Sequence, residues 1–306
     1  MTYMVKPALT IESIHETVIS LLGPVSELRR LAQGEESQVF GFRHGGDDLV
    51  LRVNPEGEGF HKDRFAHQKF ATASLPTPEV LDIGTLDDGH AWCLSRLVPG
   101  ITLQEMTPDA LASVLAPTTQ VLNAIAASDL EGTAGYGPFD ANGRGRYDTW
   151  RAFVLDAPDP AGSAWRAAAD VVDLERIHGY IDEIRRLAAF CPEDRHLVHG
   201  DFGSNNVLSD GTVITGVIDW SEAMFGDSLY DIANFFFWRS WLTCMELQAR
   251  HFEQTLAMSA DVWQRLRCYA LPIGVVEFQQ AAPVSLATWT MRRCDEVLTG
   301  GLRGPG

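Results

Sequence analysis

The sequence predicts an α+β chain of two lobes: a small antiparallel sheet with one inserted helix, followed by a larger, mainly helical part. Three observations predict it. Short alternating apolar runs separated by glycine turns occupy residues 27–54 and 79–97. A helical pattern interrupts them after the third run, and beyond Val98-Pro99-Gly100 the apolar spacing becomes helical. At 306 residues, 45% of them hydrophobic, the chain is near the size at which one core divides. The boundary is placed between residues 97 and 98, giving a nucleotide-binding lobe, 1–97, and a lobe with the catalytic loop and substrate pocket, 98–306.

The elements follow in order. Thr10 is the expected N-cap of a surface amphipathic helix with Ile11, Ile14, Val18 and Leu22 on one side, stopped by Gly23-Pro24. Leu28 to Ala32, Gln38 to Arg43 and Leu49 to Val53 read as three antiparallel strands. Phe60 to Ser74 reads as a helix ended before Pro76. Glu79 to Gly84 and Trp92 to Leu97 are two more strands, with Asp87-Asp88-Gly89 as their turn. Helices are expected from Pro108 to Ser128 and from Leu174 to Phe190. Between them lie a Gly- and Pro-rich connection, Gly132 to Gly145, and an aromatic segment, Tyr147 to Phe153. The remainder, Ser228 to Leu302, reads as further helices.

Composition excludes several classes. Five scattered cysteines without Cys-x-x-Cys spacing suggest neither a disulfide framework nor a zinc site. A formal charge of −17 disfavours nucleic acid and favours a cationic small-molecule partner. No apolar run is long enough for a signal peptide or membrane span, so a cytoplasmic protein, acting as a monomer, is expected.

One stretch carries chemistry. His199-Gly200-Asp201-Phe202-Gly203-Ser204-Asn205-Asn206 lies between the short apolar runs Leu197-Val198 and Val207-Leu208, and Ile218-Asp219-Trp220 ends the next apolar run. Phosphoryl transfer needs a group to orient or deprotonate the acceptor hydroxyl and oxygen ligands to hold Mg²⁺ on nucleotide phosphates. Asp201 suits the first task; Asn206 and Asp219 suit the second. Singly, each acid would read as a loop cap or an exposed charge, but the set at this spacing reads as a site. His199 reads as a scaffold residue bonded to the loop backbone.

Weaker signals surround it. Gly34-Glu35-Glu36-Ser37 falls between two expected strands, where a turn could close over phosphates; Gly34 and Ser37 are its candidate contacts, and a plain hairpin is the alternative. Arg52, one basic residue on an apolar strand, is either a phosphate ligand, the favoured reading, or half of a structural ion pair. Asp63 could pair with it, and Lys62 could be a second phosphate contact. Asp227 and Asp231 sit where a helix begins, which favours a fold-supporting role. Trp220, Glu222, Trp238 and Trp241 mix aromatic faces with a carboxylate, as packing or as a pocket for a polyhydroxylated amine. With Asn205 and Asp227 they are the candidate substrate contacts.

The order of glycine turn, basic strand, helix, hinge, His-Gly-Asp-x-x-x-x-Asn and Ile-Asp-Trp resembles the aminoglycoside phosphotransferase family, which has a protein-kinase-like fold. The similarity covers nearly the whole chain and continues through Ala233-Asn234-Phe235-Phe236-Phe237-Trp238-Arg239. The resemblance implies ATP and Mg²⁺ as cofactors, Asp201 as catalytic base, and Asn206 and Asp219 as metal ligands. Adenine would lie on the backbone of Arg96, Leu97 and Val98. It further implies phosphorylation of a hydroxyl of hygromycin B, the 4-hydroxyl, with antibiotic resistance as the outcome. A kinase for another aminoglycoside or small amino or hydroxy substrate is one alternative; a non-catalytic nucleotide- or drug-binding protein is the other. One departure stands out: most family members have Lys where this chain has Arg52, and a forked guanidinium does not reproduce the geometry of an ammonium.

Overall fold

Strand parity explains much of the sheet. In β3 (Asp47–Asn54), Leu49, Leu51 and Val53 point to one face, where they pack with Phe40 and Phe42 of β2 (Gln38–His44) and with Ile14 and Val18 of helix α1 (Ile11–Leu22). Successive side chains alternate across a strand, so Arg52 must face the other way. That other face is covered by α2 (Glu58–Phe70), whose Phe60 packs against Val80, Ala91 and Cys93. The computed structural model describes residues 9–31, 37–156, 173–278 and 284–303. Gly34, in the expected phosphate turn, lies outside the described residues.

With β1 (Ser26–Arg30), β4 (Val80–Thr85) and β5 (Ala91–Arg96), these strands form a five-stranded antiparallel sheet in the order β1-β2-β3-β5-β4. Helix α1 has the expected cap, Thr10 accepting from Ser13 N–H. Helix α2 ends at Phe70 rather than Ser74. Ala71 is already extended, and the Thr72 hydroxyl accepts from Ser74 and Leu75 N–H, so a local side-chain turn outcompetes helix continuation.

The second lobe is built on α3 (Pro108–Ala126), α4 (Trp150–Leu155), α5 (Leu174–Leu187), α6 (Leu229–Trp238), α7 (Thr243–Thr255), α8 (Ala260–Glu277) and α9 (Val284–Leu298). They enclose one large core, which also takes Ala66 and Phe70 of α2 and so welds the inserted helix to both lobes. Two small sheets lie in this lobe. One is β11 (Ile214–Val217), β10 (Val207–Ser209) and β6 (Ile101–Thr102); the other is β8 (Gly145–Tyr147), β7 (Tyr136–Phe139), β12 (Met224–Gly226) and β9 (His196–Val198). The Gly- and Pro-rich connection from Gly132 to Gly145 is built around the β7–β8 hairpin. At Gly135 backbone passes too close for a side chain: a Cβ there would lie 2.5 Å from Gly145 O.

These two sheets position the chemistry. The loop 199–206 leaves β9 in one and enters β10 in the other, while β11 leads into Asp219 and β12 returns beside β9. Ile218 N–H donates to Asn206 O at 2.9 Å, which prolongs the β10–β11 pairing and sets the two polar segments side by side.

Candidate active site

The loop is held from behind by two buried side chains. His199 is fully buried; its Nε2 donates to Ile218 O at 3.0 Å and its Nδ1 accepts the Asp201 N–H at 3.4 Å. A carbonyl can only accept, so this pairing selects the Nε2–H tautomer. Burial lowers the His199 pKa to about 4, so it is a neutral brace between the loop and the strand that leads to Asp219. Asp231, in α6, accepts from His199 N–H at 2.9 Å and Gly200 N–H at 2.8 Å. Its fold-supporting role is exerted on the loop, which it anchors, rather than on its own helix.

Gly200 has a left-handed backbone, φ +88°, and a Cβ there would fall 2.2 Å from Glu222 O. Gly200→Ala should therefore force the loop away from the 221–223 segment, and we expect loss of soluble protein or of nucleotide-dependent activity in expression and ADP-release assays.

Asn206 Nδ2 donates to Asp201 O at 3.0 Å and to Asp201 Oδ2 at 2.8 Å. Its amide nitrogen being so engaged, the carbonyl oxygen is left to act as a hard ligand. Asp219 supplies the second acidic group and sits at φ +61°, unusual for a residue with a side chain and characteristic of constrained functional positions. Its Oδ1 accepts from Ser221 Oγ at 2.7 Å. The Asp201 carboxylate is in touch with solvent, yet the enclosing cleft walls, aided by the charges of Asp219, Glu222 and Glu277, push its pKa up to about 7. A carboxylate so poised is suited to take a proton from a hydroxyl near neutral pH.

Arg52 ion-pairs with Asp63 of α2. Burial disfavours the Arg52 cation, but Asp63, with Cys93 and Asp219, more than offsets this and raises its pKa. Of the two readings open for Arg52, the ion pair is the one displayed. Asp63 also accepts the Trp220 N–H at 2.7 Å, so one carboxylate joins β3, α2 and the segment after Asp219. Lys62 is a correction: its ammonium is buried and donates to Ser221 O and Ala223 O, not towards a phosphate cleft.

A strand, helix and loop bearing a paired Asp and Asn beside a strained Asp is the arrangement of a kinase-like site, and comparison with known proteins agrees. A family model described as "Phosphotransferase enzyme family" matches residues 27–269. The chain belongs to this phosphotransferase family. It is 46% identical over 301 residues to hygromycin-B 4-O-kinase of Escherichia coli, covering 97% of this chain and 88% of that protein. A crystal structure of aminoglycoside phosphotransferase APH(4)-Ia matches with a TM-score of 0.89 and 45% identity, over 96% of this chain and 100% of that one. A thermostable mutant of the same protein, in ternary complex with AMP-PNP and hygromycin B, matches with a TM-score of 0.87 and 47% identity, over 94% and 99%. The bilobal, protein-kinase-like fold is thereby established.

In this phosphotransferase the other candidate residues fall into three groups. Trp220 and Asp227 are corrections. Trp220 is fully buried against His199, with its indole N–H on Val217 O, and Asp227 is 1% exposed. Asp227 accepts from Arg265 through two nitrogens, from Tyr269 Oη and from Leu229 N–H. Both are occupied in the fold and cannot present a face to substrate.

Glu222 and Asn205 are exposed near the loop. Trp238 stacks on Trp289 with ring centroids 5.2 Å apart, and Trp241, 48% exposed, leans on the same ring. No hydrogen bond or ring contact among the described residues ties that stack to Asp201.

At the hinge, Arg96 spends its side chain on Glu79 and Asp47 and its N–H on Glu79 O, while Leu97 N–H donates to Asp48 O. Val98 gives its N–H to no backbone group among the described residues. Ser37 is half-buried just before β2.

Sequence reasoning missed two neighbours of Asp201. The Tyr230 ring lies among Trp150, Phe153 and Tyr269 while feeling the charges of Glu222, Asp231 and Asp201, and Glu277 closes α8 on the same side. Neither lies in a motif, so no sequence signal could have found them.

Proposed function

We propose that this phosphotransferase transfers the terminal phosphate of ATP to a hydroxyl of hygromycin B, the 4-hydroxyl, and so confers resistance to the drug. The observation that carries the reading is the Asp201–Asn206 pair beside Asp219: a base with a raised pKa, held by an amide whose oxygen is left for a metal. The likeness to hygromycin-B 4-O-kinase supports the choice of substrate.

Asn206 and Asp219 would hold Mg²⁺; both offer hard oxygen atoms, the donor type that ion takes. When bound, the ion neutralises charge on the nucleotide phosphates. Asp201 accepts the proton of the attacking hydroxyl and aligns its oxygen. Glu222 adds negative field for the drug's ammonium groups, and Asn205, Trp238 and Trp241 offer polar and aromatic contacts. Residues 1–97 form the nucleotide lobe: Arg52 faces the phosphates from its ion pair with Asp63, Gly34 and Ser37 close over them, and the backbone of Arg96, Leu97 and Val98 takes adenine. Among the described residues the Val98 N–H has no backbone partner, which supports that placement. Residues 98–306 carry the catalytic loop and drug site. The enzyme acts as a cytoplasmic monomer; no described helix is long and apolar enough to cross a membrane.

Mass spectrometry of hygromycin B after incubation with the protein, ATP and Mg²⁺ should show gain of one phosphate. An unmodified drug under conditions in which another aminoglycoside gains phosphate would replace the substrate, and no modified product across a panel would overturn the enzyme reading.

A further inference from the structure

Lys62 is an odd residue to bury. Its side chain is among the least exposed of the charged groups, it makes no ion pair among the described residues, and its ammonium is spent on two main-chain carbonyls, Ser221 O and Ala223 O, with the Phe139 ring 5.0 Å away. Taking an ammonium out of water is costly, and the charges of Glu222, Glu58, Asp63 and Asp219 offset only part of that cost, so the contact must do something for the fold or the site.

What it holds is the segment that follows Asp219. Asp63, the next residue of α2, takes the Trp220 N–H, and Lys62 takes the carbonyls of Ser221 and Ala223. Two successive side chains of one helix thus fasten three groups within four residues. The segment is also pressed against that helix: a Cβ on Gly59 would meet Ser221 Cβ at 3.2 Å. Ser221 in turn bonds the Asp219 carboxylate through its hydroxyl. A left-handed, side-chain-bearing residue such as Asp219 keeps that conformation only if its surroundings over-determine it. The helix supplying the restraint is itself fixed to β3 through Arg52 and Asp63.

We infer that Lys62 is a positioning residue for the metal site: by clamping the Ser221 and Ala223 carbonyls to α2 it aims the Asp219 carboxylate at the nucleotide-bound cation. The inference rests on the proposed reading of Asp219 as a metal ligand. It assigns Lys62 an action through Asp219, with no contact to phosphate.

The test is calorimetric titration with AMP-PNP, in EDTA and in excess Mg²⁺, on wild type, Lys62→Met and Lys62→Gln; no drug is present. Wild type should bind the nucleotide more tightly with Mg²⁺. Lys62→Met keeps the apolar stem and removes the donors. Its affinity in EDTA should stay within about twofold of wild type, while the gain from Mg²⁺ falls about 10- to 100-fold, the usual cost of losing a group that orients a metal ligand. Lys62→Gln, which reaches one carbonyl at most, should lie between.

A folded Lys62→Met with the wild-type Mg²⁺ gain overturns the inference. An equal loss with and without Mg²⁺ also overturns it, because that marks a general fold effect or a direct phosphate contact. If Lys62→Met does not fold, Lys62→Gln decides by the same criteria, and failure of both to fold makes Lys62 a fold residue and overturns its positioning role. A wild type with no Mg²⁺ gain would instead refute the reading of Asp219 as a metal ligand, whatever Lys62 does.

Discussion

Asp201→Asn should lower kcat for drug phosphorylation by about a thousandfold while the chain remains folded, because positioned proton transfer contributes on the order of 10²- to 10⁴-fold. Asparagine fills the same space but cannot accept a proton from the attacking hydroxyl. The neighbouring Asn206 amide, which donates to Asp201 Oδ2 and O, keeps at least its main-chain contact. Drug-dependent ADP release and a thermal melt on the same preparation check this. Retained turnover would remove Asp201 from the chemistry.

The same residue sets a pH dependence. Desolvation by the cleft walls and the charges of Asp219, Glu222 and Glu277 raise the Asp201 pKa to about 7, and a base works only when unprotonated. At low Mg·ATP, kcat/KM should therefore climb with pH to a plateau, with its midpoint near that value. A flat profile across that range would contradict the assignment.

Asp231→Ala is expected to damage both stability and turnover. Its carboxylate takes the His199 and Gly200 N–H groups at 2.9 and 2.8 Å in a buried position. Leaving a buried donor unpaired costs about 1–3 kcal/mol, so two of them should remove about 3 kcal/mol or more. Chemical denaturation should show a lower midpoint, and residual activity should fall because the loop carrying Asp201 loses its anchor.

The charge of Asp231 has its own signature. Burial raises its pKa to about 7 in the folded protein, above the ordinary carboxylate value. A group whose folded pKa is raised contributes stability that is present at low pH and lost as pH climbs through the folded value. Asp231→Asn titrates at neither pKa, so its destabilisation relative to wild type should be larger near pH 5 than near pH 8. Equal destabilisation at both would mean that Asp231 is not held as a destabilised anion.

Local chemistry was legible in the sequence; distant partnership was not. Asp201 and Asn206 lie in one eight-residue loop, so their spacing by itself brings the amide to the carboxylate. Asp219 could be read because the strand before it is apolar and it ends that strand. Thr10 could be read as a cap because a cap bonds only three residues away. Trp220 and Asp227, by contrast, carry the residue types of a sugar-binding surface. Trp220 turns inward because the connection from β11 to β12 runs over His199, and Asp227 because it follows β12 where Arg265 and Tyr269 of α8 meet it; composition does not encode either direction.

The sequence by itself determined the reaction class and the two-lobe plan, and it singled out the proposed triad Asp201, Asn206 and Asp219, because hydroxyl activation and metal binding demand particular groups at short, rigid separations. Tertiary structure alone decided what holds that triad: Asp231 from α6, and Lys62 and Asp63 from α2, reach it across separations of 31 to 161 residues. Such contacts leave no periodic or local trace. They arise only when packing a strand face and two helices removes water from polar groups that must then find partners.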